Sequence, residues 1–342
     1  MKDISEKLGI SISTVSHILG GRGERYSAKT QKKVHELVEE LGYVPNPMAR
    51  SLKGAKTLTA GVIVGGLNPG SGSEVLGAKT HAIGSRAMEH DYSPFICLSH
   101  GDQDLEMRLI RMLLAKQVDG LMIAPTQEMQ SYHALLRRSV PFVILDVACP
   151  QTPFNFVVVD FEEGGYLITK HVLELGRKSP VFMTSSLETQ PIRMRVAGWR
   201  KAVEEAGMSF DTLPLLLQEK NYASEHETGY ALMKRHLETQ RLFDCVVASN
   251  DMFALGVMRC LMDHGIQVPD DVAVTGFDDD QYASGLPVSL TTIRQPAHAL
   301  GTAAFDILNR HIEDPSLPLE QVFLKPKLVV RRSTDTSTQE RR

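Results

Sequence analysis

The start of the chain carries apolar residues at the spacing of short amphipathic helices. In order, these are Ile4 and Leu8, then Val15, Ile18 and Leu19, and then Val34, Leu37, Val38 and Leu41. Between the first two groups lies Gly9-Ile10-Ser11, where glycine can end one helix in a left-handed conformation and serine can cap the next. The third group, within residues 29–41, is followed by Gly42 as a stop. The pattern predicts three short helices with a tight turn between the first two.

This order of helix, tight turn and helix is typical of the helix-turn-helix module of DNA-binding proteins. The outer face of the second helix carries Ser13, Thr14, Ser16 and His17. Small and hydrogen-bonding side chains of this kind can reach base edges and phosphates. We therefore predict that these four residues contact DNA. The pattern alone leaves a second interpretation open, namely a three-helix capping subdomain.

A proline-bearing segment follows the third helix. Pro45 and Pro47 prevent that helix from continuing, while Pro47 can begin a new short helix with Asn46 as its cap. This helix has about two turns, which is too short for stability alone in water. We expect it to fold only against another surface. Gly54 and the polar residues after it mark a linker to the rest of the chain.

The remaining chain alternates apolar strands with amphipathic helices. The predicted strands are residues 61–64, 94–98, 120–124, 142–146, 156–159, 181–184, 246–249 and 272–277, and the predicted helices include 105–117, 164–175, 195–206, 254–265 and 298–312. Continuous apolar strands that alternate with helices indicate parallel sheets covered on both faces. Two such sheets fit the length better than one. The predicted fold is an all-α helix-turn-helix head followed by an α/β body with parallel sheets.

Polar residues follow several of the predicted strands. They are Asp146, Asp160, Asn250, Asp251, Asp278, Asp279 and Asp280. Ligands of open parallel sheets bind beyond the carboxyl ends of the strands, so these side chains predict a cleft for a polar ligand. The alternative for each acid is a solvated position in a loop, which we favour for Asp279 and Asp280.

Charge is divided unevenly along the chain. Residues 1–57 carry ten basic and six acidic side chains, a net charge of +4, while the rest carries 27 basic and 35 acidic side chains, a net charge of −8. A basic head on an acidic body suits an anionic partner for the head alone. Chance variation in a short segment is the competing explanation.

Composition excludes several protein classes. The chain is 42% hydrophobic and 23% charged, which is globular rather than disordered composition. No apolar run is long enough to span a membrane and the first residues are charged, so we expect a cytoplasmic protein. The four scattered cysteines show no CxxC spacing, and we expect buried thiols in a reducing compartment.

Motifs of catalysis and cofactor binding are incomplete in this sequence. Gly72 and Gly77 have the separation of a phosphate-binding loop, but Ala78 displaces Lys79 by one position from the required G-x-x-x-x-G-K-[ST]. The twelve histidines show no metal-ligand spacing, and no serine lies in a G-x-S-x-G elbow. We therefore expect no cofactor, no metal and no enzyme activity. A carbohydrate enzyme that uses the strand-end acids stays open as an alternative.

Several strings in the chain are similar to those of one protein family. They are ISISTVSHILGG, YVPNPMARSLK, VDGLMIAP, VVVDFEEGGY, RVAGWRKAVEEAG, SNDMFALGVMRCLMDHGIQVPDDVAVTGFDD, LTTIRQP and LVVRRST. Over nearly its whole length the chain thereby resembles the LacI/GalR family of bacterial transcription regulators. The resemblance implies a DNA-binding helix-turn-helix, a hinge helix and a two-lobed body similar to periplasmic sugar-binding proteins, assembled as a dimer or tetramer.

The resemblance also implies domain boundaries. They are a helix-turn-helix domain at residues 1–44, a hinge helix and linker at 45–57, and an effector-binding and dimerisation domain at 58–342. Within that domain, the N-lobe is expected at about 58–157 and 288–318, and the C-lobe at about 158–287 and 319–342.

The family's functional positions fall on identifiable residues of this chain. The base readers fall on Ile12 and Ser13, with His17 one turn later, and the hinge residue that wedges into the minor groove falls on Leu52, flanked by Ala49 and Arg50. The effector positions fall on Asp146, Arg195, Tyr222, Asn250, Asp278 and Gln295. Acids, amides, a guanidinium and an aromatic ring face suit a polyol.

The sequence departs from the family at the N-terminal wall of the cleft. The aromatic pair common after the first body strand is replaced by the Gly-rich LNPGSGSEV, and Phe161 stands where asparagine is frequent.

The function implied by the resemblance is that of a transcription repressor that binds a near-palindromic operator and responds to a small polar effector. We favour a sugar over a nucleoside or purine. A cytoplasmic small-molecule binding protein without a DNA role is the other alternative.

Overall fold

The computed structural model describes residues 1–20, 23–43, 56–65, 74–126, 129–138, 140–218 and 224–335. The chain divides into two compact units, Met1–Thr57 and Leu58–Arg342. The predicted hinge residues Ala49, Arg50 and Leu52 and the predicted effector residue Tyr222 lie outside the described residues. No helix in the described part of the chain is long and apolar enough to cross a membrane.

The first unit contains the three predicted helices, which are confirmed. They are α1 Lys2–Leu8, α2 Ile12–Leu19 and α3 Ala28–Glu40, with a 3₁₀ turn at Gly23–Arg25 between the last two. Gly9 has a φ of 63° and ends α1 in the left-handed conformation. The Ser11 hydroxyl accepts a hydrogen bond from the Thr14 amide at 3.0 Å and caps α2. The tight turn therefore forms as its residue types predict.

The head has a small apolar core of its own. Its buried members are Ile4, Val15, Ile18, Val34 and Leu37. Leu41 was expected on the same face, and this expectation is wrong because its side chain is 39% exposed. Leu41 lies at the C-cap of α3, beyond the last helical residue, where the helical spacing no longer applies.

The second unit contains nine α-helices, two 3₁₀ helices and twelve strands among the described residues. The α-helices are α4 Glu74–Glu89, α5 Gln103–Ala115, α6 His133–Leu136, α7 Phe161–Glu174, α8 Gln190–Glu205, α9 Glu225–Glu238, α10 Asp251–Asp263, α11 Gln281–Gly285 and α12 Ala297–Glu313, and the 3₁₀ helices are Met129–Tyr132 and Phe210–Thr212. The strands are β1 Thr59–Val64, β2 Ser93–Leu98, β3 Gly120–Ile123, β4 Phe142–Leu145, β5 Asn155–Val159, β6 Pro180–Thr184, β7 Leu215–Leu217, β8 Cys245–Ala248, β9 Ala273–Thr275, β10 Thr292–Arg294, β11 Gln321–Leu324 and β12 Lys327–Val329.

The body is built on two parallel sheets, as the sequence pattern predicts. The sheet of the N-lobe has the order β11-β5-β4-β3-β1-β2, and that of the C-lobe has the order β7-β6-β8-β9. All strand pairs within these two sheets are parallel. Strands β10 and β12 form a separate antiparallel pair. Most residues of the strands in the two parallel sheets are buried, which explains why these strands appear as continuous apolar runs in the sequence.

Two expected lobe boundaries need correction. Residues 319–342 were expected in the C-lobe, but β11 pairs with β5 in the N-lobe sheet, where Val322 lies opposite Val157. The expected boundary at 157/158 also divides β5, all of which belongs to the N-lobe sheet. The chain therefore stays in the N-lobe after α12, because the edge of β5 is free to accept one further parallel strand.

Two glycines bring helices α7 and α8 into backbone contact. A Cβ atom on Gly165 would lie 2.2 Å from the carbonyl oxygen of Arg195, and one on Gly198 would lie 2.0 Å from that of Glu162. Any side chain larger than hydrogen would push the helices apart. The glycines therefore fix the position of the α8 backbone that carries Arg195.

We predict that Gly198→Ala destabilises the protein and displaces α8. The added methyl group has no space, so the free energy of unfolding should fall by about 1–3 kcal/mol. Gly77→Ala is the matched control, because nothing lies within 4 Å of a Cβ at that exposed position of α4. This control should be neutral or stabilise by up to ~1 kcal/mol. Urea denaturation measures both changes, and equal stability of the two variants would contradict the close contact.

Candidate functional site

The outer face of α2 presents small polar side chains beside an exposed apolar residue. Ile12 is half exposed and Ser13 is exposed. The Ser11 hydroxyl lies 2.7 Å from that of Ser13 and 2.9 Å from that of Thr14, so the start of α2 is a connected hydroxyl cluster. Such a cluster together with an apolar contact can meet a phosphate oxygen and a thymine methyl group.

His17 lies one turn further along α2. Its Nδ1 atom is 2.9 Å from the Tyr26 hydroxyl, and the ring is half-buried. Ser16 is also half-buried. The Tyr26 contact restricts the orientation of the imidazole and leaves Nε2 as the atom available to an external partner.

A buried guanidinium lies at the centre of the predicted effector site. Arg195 on α8 is only 7% exposed. Its Nη2 lies 3.6 Å from Asp278 Oδ1, and its Nη1 donates a hydrogen bond to the Ser249 carbonyl. The guanidinium carbon lies 3.8 Å from the centre of the Phe277 ring and 5.1 Å from that of Phe161. Aromatic faces and one carboxylate together compensate a charge removed from water.

Gln295 completes this group. Its Nε2 donates to Asp278 Oδ1 at 2.6 Å. Burial raises the pKa of Asp278, while Arg195 and the Gln295 hydrogen bond oppose that rise. Burial lowers the pKa of Arg195, and Asp278 opposes that change most strongly. The structure therefore brings together Arg195, Asp278 and Gln295, three of the residues predicted to bind the effector.

Asn250 lies at the start of α10, after β8. Its Oδ1 accepts a hydrogen bond from the Phe253 amide at 2.8 Å, and its Nδ2 donates to the Glu225 carboxylate. Burial raises the pKa of Glu225, and the hydrogen bond from Asn250 opposes that rise. Glu225 was not predicted from the sequence. It lies 25 positions before Asn250, and no sequence motif has two site residues at that separation.

Asp146 belongs to the N-lobe side of the site. It follows β4 with a φ of 59°, in the left-handed region. Its Oδ1 accepts a hydrogen bond from Lys79 Nζ on α4 at 2.7 Å. Sequence reasoning considered Lys79 only as the lysine of an incomplete phosphate-binding loop. The structure places it instead in an ion pair with a predicted effector residue.

The other strand-end acids have structural partners. Asp160 caps α7 through the Glu163 amide at 3.0 Å. Asp251 is fully buried and accepts hydrogen bonds from the Asp280 amide at 2.8 Å and the Thr292 hydroxyl at 2.5 Å. The carboxylate of Asp279, expected to be solvated, pairs with Arg294 at 2.5 Å and Arg331 at 2.6 Å. That expectation is wrong, and Asp280 is likewise buried.

Two reciprocal pairs join the lobes around the site. Across one edge, the Ala148 amide donates to Gln190 Oε1 at 2.7 Å and Gln190 Nε2 donates to the Ala148 carbonyl at 2.9 Å. Across another, the Glu74 amide donates to Asp280 Oδ1 at 2.9 Å and the Gln281 amide donates to Glu74 Oε2 at 2.8 Å. These pairs hold the lobes in the arrangement that buries Arg195 and Asp278.

Several buried polar atoms in the site have no hydrogen-bond partner among the described residues. They are Arg195 Nε, Ser249 Oγ and Gln295 Oε1. A donor, a hydroxyl and an acceptor are thus clustered around Asp278. Buried polar groups without a hydrogen-bond partner are rare in folded proteins because they cost free energy. Their presence here indicates a site where a ligand supplies the missing hydrogen bonds.

Two family descriptions match separate parts of the chain. "Bacterial regulatory proteins, lacI family" matches residues 1–46. "Periplasmic binding protein-like domain" matches residues 169–334. The first contains all of the helix-turn-helix, and the second contains Arg195, Asn250, Asp278 and Gln295.

Curated proteins and solved structures match the chain as a whole. The ribose operon repressor of Escherichia coli (strain K12) is 32% identical and covers 97% of this chain and 99% of that protein. The HTH-type transcriptional repressor PurR of Vibrio atlanticus (strain LGP32) is 30% identical and covers 98% of each. The crystal structure of the Lac repressor dimer bound to operator and the anti-inducer ONPF has a TM-score of 0.85 at 28% identity and covers 97% of this chain and 98% of that chain. With repressors at 30% and 32% identity over almost its entire length and a matching head, the chain belongs to the LacI family of bacterial regulatory proteins.

Proposed function

We propose that this protein is an operator-binding transcription repressor whose DNA affinity is set by a sugar bound between the lobes of its body. The observation that carries the proposal is the Arg195–Asp278–Gln295 cluster with its unpartnered donor and acceptor atoms. The head supplies the surface for DNA. We place the protein in the cytoplasm, where chromosomal DNA is accessible, and we propose no catalytic role.

A polyhydroxylated ligand suits the unpartnered atoms of the cleft. Each sugar hydroxyl both donates and accepts, so it can accept from Arg195 Nε and donate to Gln295 Oε1 or to a carboxylate. Asp146, Asn250 and Asp278 then fix the direction of the hydroxyl groups, and Tyr222 is the proposed stacking partner of the sugar ring. The name of the ribose operon repressor supports this ligand class. A nucleoside or purine is the alternative, and it would rely on ring stacking more than on acids.

The effector acts through the two arrangements of the lobes. A ligand shifts an equilibrium only by its differential affinity for the two states. We propose that the sugar stabilises the closed arrangement. The N-lobe follows the predicted hinge directly in the chain, so closure changes the separation of two hinge segments in a dimer. Leu52, flanked by Ala49 and Arg50, is the proposed minor-groove wedge of each hinge.

We propose a homodimer that binds a near-palindromic operator. One helix-turn-helix presents little surface, and two-fold protein symmetry matches two half-sites. Strand β2 is an edge of the N-lobe sheet and exposes Phe95, Ile96 and Leu98. The C-lobe has an open groove of about 890 Å³, lined in part by Tyr230, Met258, Met262, Ile266 and Leu286. Apolar edges and grooves of this size are usually covered by a partner, and a Lac repressor dimer is among the similar structures.

We predict that His17→Ala relaxes the choice of base at one position of each half-site. The loss of one base-edge contact should cost about 1–3 kcal/mol against the preferred base and little against others. Gel shifts with the DNA upstream of the gene that encodes this protein first identify an operator. Fluorescence anisotropy then measures the affinity for operators that differ from it by a single base pair. Tyr26→Phe is the control, because it removes the hydroxyl beside Nδ1 and keeps the imidazole itself. The preferred base should therefore stay the same in this variant. A uniform loss at every sequence would make His17 a phosphate contact.

We predict that Ile96→Asp converts the dimer into a monomer. A buried, unpaired carboxylate at an interface is strongly unfavourable. Sedimentation velocity at micromolar concentration should show a dimer for the wild type and a monomer for the variant. Leu242→Asp is the control, since Leu242 is 93% exposed and lies outside both apolar surfaces, and it should stay dimeric. A monomeric wild type, with and without operator, would contradict the proposed assembly.

We predict that Asp278→Asn weakens the response to the effector while operator binding persists. A charge-assisted hydrogen bond is worth about 1.5–3 kcal/mol, so sugar affinity should fall roughly 10- to 100-fold. Thermal-shift screening of sugars and nucleosides identifies the ligand, and calorimetry measures its affinity. Asp279→Asn is the control, because that acid pairs with Arg294 and Arg331 and should lower stability without changing sugar affinity. A ligand that binds both variants equally would lie outside this cleft.

A further inference from the structure

Lys79 is a buried cation in the body that the function proposed above does not use. It is 7% exposed and lies on α4, whose other buried residues are Val75, Ala82, Ile83 and Ala87. Its ammonium donates to Asp146 at 2.7 Å. Burying an ammonium ion costs several kcal/mol unless a charge partner compensates it, so Lys79 and Asp146 depend on each other.

This pair faces a second ion pair across the lobes. Lys79 and Asp146 belong to the N-lobe, and Arg195 and Asp278 belong to the C-lobe, with all four side chains largely buried. The charges of the two pairs affect one another. Burial raises the pKa of Asp278 and Arg195 opposes that rise, while Lys79 acts with Arg195 and Asp146 acts against it. The walls of the cleft thus hold two cations and two carboxylates that compensate each other.

We propose that Lys79 is a specificity residue, which neutralises Asp146 so that the cleft selects a neutral polyhydroxylated ligand over acidic and amino sugars. This inference rests on the sugar-binding role of the cleft proposed above. An acidic sugar would bring a further negative charge towards two carboxylates whose cations are already paired. An amino sugar would compete with Lys79 for Asp146. A neutral diol meets adjacent donor and acceptor groups, because the bond to Asp146 uses one of three ammonium donors.

A panel of sugars that share a ring and differ in charge tests this proposal. Glucose, glucuronate and glucosamine form one set, galactose and its acid and amine a second, and ribose with ribose 5-phosphate a third. Calorimetry on the purified full chain gives the dissociation constants, and DNA is not required. The wild type should bind the neutral member of one set at least ten-fold more tightly than its charged counterparts.

Two opposite substitutions should invert this preference in opposite directions. Lys79→Met keeps the length of the side chain but leaves Asp146 unpaired, so the amino sugar should gain at least ten-fold relative to the neutral sugar. Asp146→Asn leaves Lys79 unpaired, so the acidic sugar should gain instead. A pair that only held α4 against the sheet would lower all affinities together and leave their ratios unchanged.

Control variants separate selectivity from stability. Lys79→Arg retains the positive charge and should retain the neutral preference. Arg86 lies on the same helix as Lys79 and pairs with Asp306 on α12. Arg86→Met removes this ion pair, so it should lower the melting temperature without changing the affinity ratios. If one of the two inverting variants fails to fold, the other still decides the question.

The proposal is overturned by unchanged ratios in both variants, by a wild type that prefers a charged sugar, or by a wild type that binds no member of the panel. The last result would leave DNA binding untouched. Failure of the proposed function is recognised separately, by the absence of an operator in gel shifts while the sugar ratios behave as expected.

Discussion

The burial of the Arg195 guanidinium is the constraint on which the cleft depends. A cation withdrawn from water must find compensation, since the effective penalty is on the order of several kcal/mol per ion. The compensation comes from two segments of the C-lobe, one with the Phe277 ring and the Asp278 carboxylate after β9 and the other with the Ser249 carbonyl after β8. The glycine-mediated contact of α7 with α8 holds the backbone of Arg195 where all three can be reached. Packing and electrostatics therefore specify the same position.

Contacts between the lobes surround this position. Lys79 and Asp146 bring an ion pair from the N-lobe to the one in the C-lobe, and the Gln190 and Glu74 hydrogen bonds hold the edges of the cleft together. Opening the lobes exposes these groups to water, which replaces each lost partner at modest cost. Under the proposed function, the two arrangements of the lobes then differ by only a few hydrogen bonds, and a ligand that supplies the missing partners within the cleft decides between them.

The sequence predicted most of the fold, and the exceptions have physical reasons. Eight strands were identified from continuous apolar runs, because a strand buried on both faces is apolar at every position. The helix-turn-helix was identified from helical periodicity, because each helix buries one face. Helix α4 has no clear apolar stripe, since Lys79 is among its buried residues and Gly77 interrupts it. Strand β11 has four residues, and its pairing with β5 depends on contacts far apart in the chain. For the same reason Lys79 and Glu225 were missed as site residues, whereas residues at strand ends were found.

Reciprocal linkage between operator and sugar tests most directly whether the cleft governs DNA binding. If one equilibrium between lobe arrangements connects the two sites, the factor by which saturating sugar changes operator affinity must equal the factor by which operator changes sugar affinity. Both factors are measured on wild-type protein, the first by anisotropy with labelled operator and the second by calorimetry with and without operator. We predict equal factors, clearly different from one. A sugar affinity that operator does not alter would contradict an effector role for the cleft.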